Sequence, residues 1–507
     1  MSTTPLEPAN AGEATSQLDP LRWKALLVIG IAQLMVVLDA SIVNLALPSA
    51  KADLGIADAD QQWVVTAYAL AFGGFLLLGG RIADYIGRKR AFIIGLLGFA
   101  AASAIGGIAP TAGALFGARA LLGVFAALLA PAALALITVT FHLPKERARA
   151  FGVYGAIAGG GAALGLLLGG VLTEFFSWRW CLLVNVPIAI VAAVLAVPYV
   201  RESRAEGKPD YDVFGAITVT VGLVALVYGF TKAAPRGLTD TAHWTDPSTL
   251  VWFALALVML VSFFVIENRV SSPLVPMRVL LDRNRGGSYL AQLIVGIGLF
   301  AMFLFLGLYL QVVKGYTPIV AGFAFLPFSA GIIVGAGIAS QLLPRVGPKP
   351  LMVPGLLVAA SGLAFLSLLE PDSSYVTHVL PGMILISLGM AFTFIPVSTT
   401  ALHGIGKLDA GVGSALLNTS QQVGGAVGTA LLNTVAVAAS TAYLAANSSL
   451  GESAVPAALT EGYTRAFLAG SGFLVVAAIV SATMITIGKD AAKEDDEADE
   501  VPVAQVG

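Results

Sequence analysis

The sequence predicts an all-α membrane protein with about fourteen helical spans. Three observations lead there. Of 507 residues, 57% are hydrophobic and only 11% charged, where a soluble domain carries about a quarter charged residues. Apolar runs of about 20 residues, long enough to cross a bilayer, recur between charged or Pro/Gly-containing breaks. The 56 glycines sit inside those runs without a fixed period, as expected where membrane helices approach through small side chains and unlike collagen or a disordered polymer.

The elements follow in order. Residues 1–20 are polar and acidic and lack the basic region and short apolar core of a cleavable signal, so they read as a disordered cytoplasmic tail with the first span retained. Apolar runs then begin near Trp23, Gln61, Ala91, Thr111, Ala150 and Cys181, which predicts a six-helix bundle over 21–205. Runs from Val213 and Thr249 predict two inserted linker helices over 206–270. Runs from Gly287, Pro318, Leu351, Val376, Gly413 and Ala466 predict a second six-helix bundle over 271–490. The terminal KDAAKEDDEADE stretch reads as a solvated acidic cytoplasmic tail, 491–507.

An even number of spans puts both termini on one side, and charge says which. Of the 28 Lys and Arg residues, only Lys51, Arg179, Lys232, Arg236, Lys314 and Arg465 fall on one face, and Arg119 falls inside a span. The rest, including Arg88, Lys89, Arg90, Arg201 and Lys349, share the other face. The positive-inside rule makes that face cytoplasmic, so the chain is expected as a multi-pass cell-membrane protein with both termini inside.

Composition also excludes. The net charge of -2 and the absence of a basic patch outside the loops speak against a nucleic-acid partner. Cys181 is the only cysteine, so no intramolecular disulfide forms and a thiolate metal cluster is not expected. No GxxxxGK[ST] loop points to ATP, and no HExxH, GxSxG or compact carboxylate cluster points to an enzyme. No cofactor is expected, and the energy source left is the proton motive force.

Two segments resemble each other. GRIADYIGRKRAF from Gly80 and SQLLPRVGPKPLM from Ser340 both fall in short turns on the basic face, with Gly87 matching Gly347 and Lys89 matching Lys349. Their spacing suggests two homologous halves, the plan of transporters that rock one half against the other.

An ionisable side chain near the bilayer centre costs roughly 2.5–3.5 kcal/mol on insertion scales, so each is a functional candidate. Asp39 lies about nine residues before Pro48 and Arg119 about eight after Thr111, which at about 1.5 Å per residue places both roughly 12–14 Å below the outer surface. They are expected to meet, as a structural ion pair or as a proton site in which the carboxylate exchanges its bond to Arg119 for a proton. Asn44 is expected to add a polar group on a similar face of the first span.

These motifs resemble those of the major facilitator superfamily, in its fourteen-span drug:proton antiporter branch, from about Leu21 to Lys489. LDASIVNLALP from Leu38 looks like the branch's first-span motif, which implies proton coupling by Asp39 and Asn44. GRIADYIGRKR is similar to the superfamily's cytoplasmic-loop signature, with Gly80, Asp84, Gly87, Arg88 and Lys89 matching and Tyr85 standing where a basic residue is usual. The resemblance implies a conformational latch, and Asp84 is expected against the positive N-terminal end of span thirteen near Gly411 and Gly413. RALLGVFAALLAP from Arg119 resembles the fourth-span motif whose Arg is implicated in proton transfer, with Leu122 in place of a frequent Gln. Gly152, Gly161, Gly165, Gly169 and Gly170 follow the antiporter glycine motif, with Leu166 in place of its proline. Trp178-Arg179-Trp180 with Asn185-Val186-Pro187 resembles the branch's approach to span six, and the tryptophans also fit interfacial anchors. LYLQVVKGYTPIVAGFAFLP from Leu308 and LLNTSQQVGGAVG from Leu416 are similar to branch sequences of the second half.

The resemblance implies proton-coupled efflux of small amphiphilic, drug-like or antibiotic molecules by alternating access, with a monomer in membrane lipid as the working unit. Amphiphile cavities have aromatic walls and a few polar groups, for which Tyr68, Tyr154, Gln292, Phe300, Phe303, Phe392 and Phe394 are candidates. The alternative is a major facilitator symporter importing a small nutrient, against which the first-span and span-five motifs argue.

Overall fold

The computed structural model describes residues 20–58, 60–141, 144–204, 212–234, 243–270, 273–404 and 410–488. Apart from Pro20, both expected tails lie outside the described residues. Among the described residues the chain is helical throughout. The first six long helices are α1 (Arg22–Leu54), α2 (Trp63–Ile86), α3 (Arg88–Gly107), α4 (Ala112–Thr140), α5 (Pro144–Phe175) and α6 (Trp180–Tyr199). Two follow as α7 (Val213–Ala233) and α8 (Pro247–Glu267). The last six are α9 (Arg283–Leu308), α10 (Pro318–Val346), α11 (Lys349–Leu366), α12 (Tyr375–Leu402), α13 (Ala410–Ala446) and α14 (Val455–Met484).

By length and apolar composition 12 of these cross a membrane, and 13 do when α2, bent by 56° between Leu76 and Leu78, counts as one span. The expected span from Ala150 falls in α5, a helix of 32 residues whose described apolar stretch is the shorter Leu164–Phe175. Helix ends follow local chemistry: the Thr111 hydroxyl caps α4 by accepting from the Ala114 amide at 3.3 Å, and Asp282 caps α9 through the amides of Asn284 and Arg285.

Packing repeats itself. In the first half α1 packs on α5 and α6, α2 on α4, and α3 on α4 and α6. In the second half α9 packs on α13 and α14, α10 on α12, and α11 on α12 and α14. Each contact of one half thus has its counterpart eight helices on, and the halves meet through α2–α13 and α5–α10, which the same repeat exchanges. The two matched glycines agree: Gly87 (φ 107°) ends α2 and Gly347 (φ 82°) ends α10, both in the left-handed region that a side chain disfavours.

The inserted pair sits on one seam of this symmetric body. α7 packs on α8 and also on α2 and α13, so it bridges the two halves. α8 is far less enclosed: 17% of its most apolar window is buried, against 82% for α9, which leaves α8 a lipid-facing helix.

Candidate functional site

Asp39 and Arg119 meet, as depth along α1 and α4 requires. Arg119 Nη1 donates to Asp39 Oδ2 at 2.6 Å, and its Nε donates to the Val64 carbonyl of α2 at 2.9 Å. Asp39 is 0% and Arg119 1% exposed, so the pair is sealed within the first half. The guanidinium lies over the Tyr68 ring, 4.7 Å from its centroid, one turn along α2 from Val64. A buried pair of this kind persists only where its remaining hydrogen-bonding capacity is met.

Asn185 supplies that capacity. Its Nδ2 donates to Asp39 Oδ1 at 2.9 Å and lies 3.2 Å from Ser103 Oγ of α3, whose hydroxyl donates to the Leu182 carbonyl. Asn185 and Ser103 are both 0% exposed. In the sequence Asn185 stands in the motif that approaches span six with no role attached to it, and Ser103 is unmarked; the signal for both is a polar side chain inside an apolar run. Asp39 therefore ties α1 to α4 and α6, and through Arg119 to α2.

Asn44 does not join the cluster. Its Nδ2 bonds the Ala40 and Ser41 carbonyls of its own helix. Five residues on from Asp39 it is turned by about 140° around the helix, toward α9, where its carbonyl lies nearest the Cβ position of Gly307.

The glycine motif sets α5 against α1. A methyl group on Gly161 would press on Val37 and Leu34, one on Gly165 on Ser41 and the Leu38 carbonyl, and one on Gly169 on Ile42. Gly170 faces the other half: a methyl there would lie 2.7 Å from the Pro318 carbonyl of α10. Leu166, in the place of the motif's proline, is buried in unbroken helix, and its carbonyl lies 2.9 Å from the Cβ position of Gly322. Gly152 lies outside the residues whose surroundings are described.

The loop of the basic face is organised around Glu202 at the end of the first half. Glu202 accepts from the Lys89 amide at 3.1 Å and stands against Gly87, where a Cβ would come within 2.6 Å of its carboxylate. Lys89 Nζ donates to the Val197 carbonyl at 2.6 Å, and the Arg88 amide to the Ser203 carbonyl at 2.9 Å. Asp84 accepts from Arg88 Nε at 2.9 Å, so its carboxylate is held by its own loop. The expected contact at the N-terminal end of α13 involves Gly411, which lies outside the residues whose surroundings are described. Gly80 is a close-packing position: a methyl there would meet Pro131 of α4 at 3.4 Å.

The expected cavity aromatics divide. Tyr68, buried beneath Arg119, and Gln292, also buried, are not walls of an open cavity. Phe392 packs over Gly355 of α11. Phe300, Phe303 and Phe394 are half-buried, Phe303 against Phe325 and Phe328 at 5.6 and 5.1 Å. Tyr154 is half-buried on α5 and donates to Gln33 Oε1 of α1 at 2.5 Å. Trp178, expected as an interfacial anchor, is buried with its Nε1 donating to Asp53 at 3.1 Å, while Trp180 is exposed.

At the end opposite the basic loops the halves are locked together. Gln61 Nε2 donates to Asn433 Oδ1 at 3.1 Å, and Asn433 Nδ2 to the Asp58 carbonyl at 3.3 Å. The Ile319 amide donates to Glu174 at 3.0 Å. α7 joins the same closure: Gln62 Nε2 donates to Thr231 Oγ1 at 2.7 Å, and Thr434 Oγ1 to the Phe230 carbonyl at 2.9 Å.

Two repeated helical halves, closed at one end and enclosing a buried ion pair, define a membrane transporter of the alternating-access kind. Residues 29–429 match the Major Facilitator Superfamily. The chain is 48% identical over 505 residues to the puromycin resistance protein of Streptomyces alboniger, covering 99% of this chain and 98% of that one. It is 38% identical to the cephamycin export protein of Amycolatopsis lactamdurans (92% and 93% covered) and 31% identical to the tetracenomycin C resistance and export protein of Streptomyces glaucescens (80% and 74%). The chain belongs to the Major Facilitator Superfamily. Solved structures share the fold: an auto-inhibited peptide transporter at TM-score 0.65 and 14% identity (92% and 98% covered), and a bacterial homologue of the lysosomal transporter Spinster at 0.64 and 16% (94% and 98%).

Proposed function

We propose that this protein exports antibiotic-like small molecules across the cell membrane in exchange for protons, as a monomer with both termini in the cytoplasm. The observation that carries the reading is Asp39, buried at 0% exposure and shared between Arg119 and Asn185. Relatives with 31–48% identity that bear the names of antibiotic resistance and export proteins support the substrate class.

In this reading ionised Asp39 holds α1 against α4 and α6. A proton on the carboxylate removes the counter-charge of Arg119, which keeps its bond to the Val64 carbonyl, and loosens α1. Ile42, Asn44 and Leu45, about one turn along α1, contact Gly169, Gly307 and Gly322 at the closed end, so movement of α1 reaches the junction with the second half. The packed end corresponds to closure toward the outside. Exposed Thr138, Ser398, Thr399 and Asn418, on helices of both halves near the basic loops, support an aqueous opening toward the cytoplasm. Phe300, Phe303, Phe394 and Tyr154 are the walls offered to an amphiphile. A proton crossing 100 mV supplies about 2.3 kcal/mol and a tenfold solute gradient costs about 1.4 kcal/mol, so one proton sustains a gradient of at least about tenfold.

The test is export from reconstituted vesicles with and without a pH difference, in the native protein and in Asp39→Asn. The expected result is gradient-driven export by the native protein and none by the variant, which still inserts and folds. Equal export without any gradient refutes the coupling.

A further inference from the structure

A second pair of acids lies outside this machinery. Asp212 is the N-cap of α7 and Glu267 the last residue of α8, and each is 3% exposed. Each carboxylate has one oxygen in use: Asp212 Oδ1 accepts from the Gly215 amide at 2.6 Å, and Glu267 Oε2 from the Val275 amide at 2.9 Å. The other two oxygens, Asp212 Oδ2 and Glu267 Oε1, have no partner. They face each other: a methyl group on Gly215 would collide with both, and the two side chains lie within hydrogen-bonding reach.

Two carboxylates are acceptors only, so they cannot bond each other while both are ionised. Burial side by side makes that doubly charged state costly, and a cation or a proton must resolve it. No cation among the described residues bonds Asp212 Oδ2 or Glu267 Oε1. Arg269 and Arg278, close by in sequence, and Arg81 on α2 are exposed, Arg81 reaching the Pro273 carbonyl at 3.5 Å. Asp282 and Arg285 of α9 pair with each other.

We propose that Asp212 and Glu267 bind one proton between them, forming a second protonation site separate from Asp39. The shared proton completes the hydrogen bonding of both free oxygens. It also joins the start of α7 to the end of α8, whose Glu267 holds the Val275 amide of the segment that leads into the second half. That segment packs in a small apolar cluster with Ala216, Phe263, Ala401 and Leu416, and Leu78 of α2 packs against it, so both halves meet the inserted pair there. Losing the proton sets two buried negative charges against each other at this junction.

The sign of the pH effect follows. The folded pair holds a proton that separated carboxyls of the unfolded chain have already released, so stability is full in acid and falls as pH rises through the pair's titration. Glu267→Gln and Asp212→Asn each reproduce the protonated pair, since the amide donates to the facing oxygen while its carbonyl keeps the backbone bond. The experiment is the thermal midpoint of the full chain in detergent between about pH 5 and about pH 8, read for the native protein and both variants. The expected result is a fall in the native midpoint toward alkaline pH that is lost in both variants. An equal fall in all three overturns the proposal, and so does failure of both variants to fold. A native midpoint at the alkaline end that sodium or calcium raises, with no such rise in the variants, overturns it in favour of a metal ion.

Discussion

Asn185→Leu removes the donor to Asp39 Oδ1 while keeping a side chain of similar size in a fully buried position. Ser103 loses little, because its hydroxyl still donates to the Leu182 carbonyl. A hydrogen bond to a charged group contributes about 1.5–3 kcal/mol. Its loss leaves Asp39 Oδ1 buried without that donor, so the variant is expected to be less stable by about 1.5–3 kcal/mol. The assay is chemical denaturation of the full chain in detergent, with Ser103→Ala as control, since that change leaves the Asn185–Asp39 bond in place. An unchanged stability in Asn185→Leu, or an equal loss in the control, refutes Asn185 as the second holder of the Asp39 carboxylate.

Arg119→Leu leaves the Asp39 carboxylate buried without its cation and is expected to destabilise the fold by about 3–5 kcal/mol, most of it recovered when Asp39→Asn is added; chemical denaturation of the single and double variants measures this. Gly165→Leu forces α5 away from Ser41 and the Leu38 carbonyl, so resistance conferred on sensitive cells is lost although the protein reaches the membrane, as an immunoblot of the membrane fraction shows. Gly87→Ala puts a side chain at φ 107° and against Glu202, costing at least about 1–2 kcal/mol, read as a lower thermal midpoint.

The deep part of the site was legible because hydropathy is unforgiving. Asp39 and Arg119 stand out as ions in apolar runs, and the rise of an α-helix sets them at one depth. Angular position was harder to read: Asn44 looked close to Asp39 in sequence, yet about 140° of helix rotation turned it toward the other half. Tyr68 read as a cavity wall because an aromatic in a span has no sequence mark for direction, whereas Val64 and Tyr68, four residues apart, share the face that cradles Arg119. Asn185 and Ser103 were missed because uncharged polar groups carry no comparable insertion penalty. Glu202 was missed because the loop was weighed by its cations. The repeat was visible in two glycines, and its full extent appeared only as matched helix contacts, since small residues at interfaces leave little pattern in a uniformly apolar sequence.

Closure at the end opposite the basic loops sets what must be undone when the halves part. Separating α2 and α13 there breaks Gln61–Asn433 and Asn433–Asp58, and freeing α7 from both breaks Gln62–Thr231 and Thr434–Phe230. With the Ile319 amide's bond to Glu174, five hydrogen bonds at about 0.5–1.5 kcal/mol each hold this end with roughly 2.5–7.5 kcal/mol. A proton moved across 100 mV supplies about 2.3 kcal/mol, just under that range. α7 shifts the balance, because a helix bonded to both halves can stay with one of them when they part. Only its bond to the departing half then breaks, and the closure to be undone falls to four bonds, or roughly 2–6 kcal/mol. α7 therefore adds one bond to the closure and not two, and braces the closed state by about 0.5–1.5 kcal/mol.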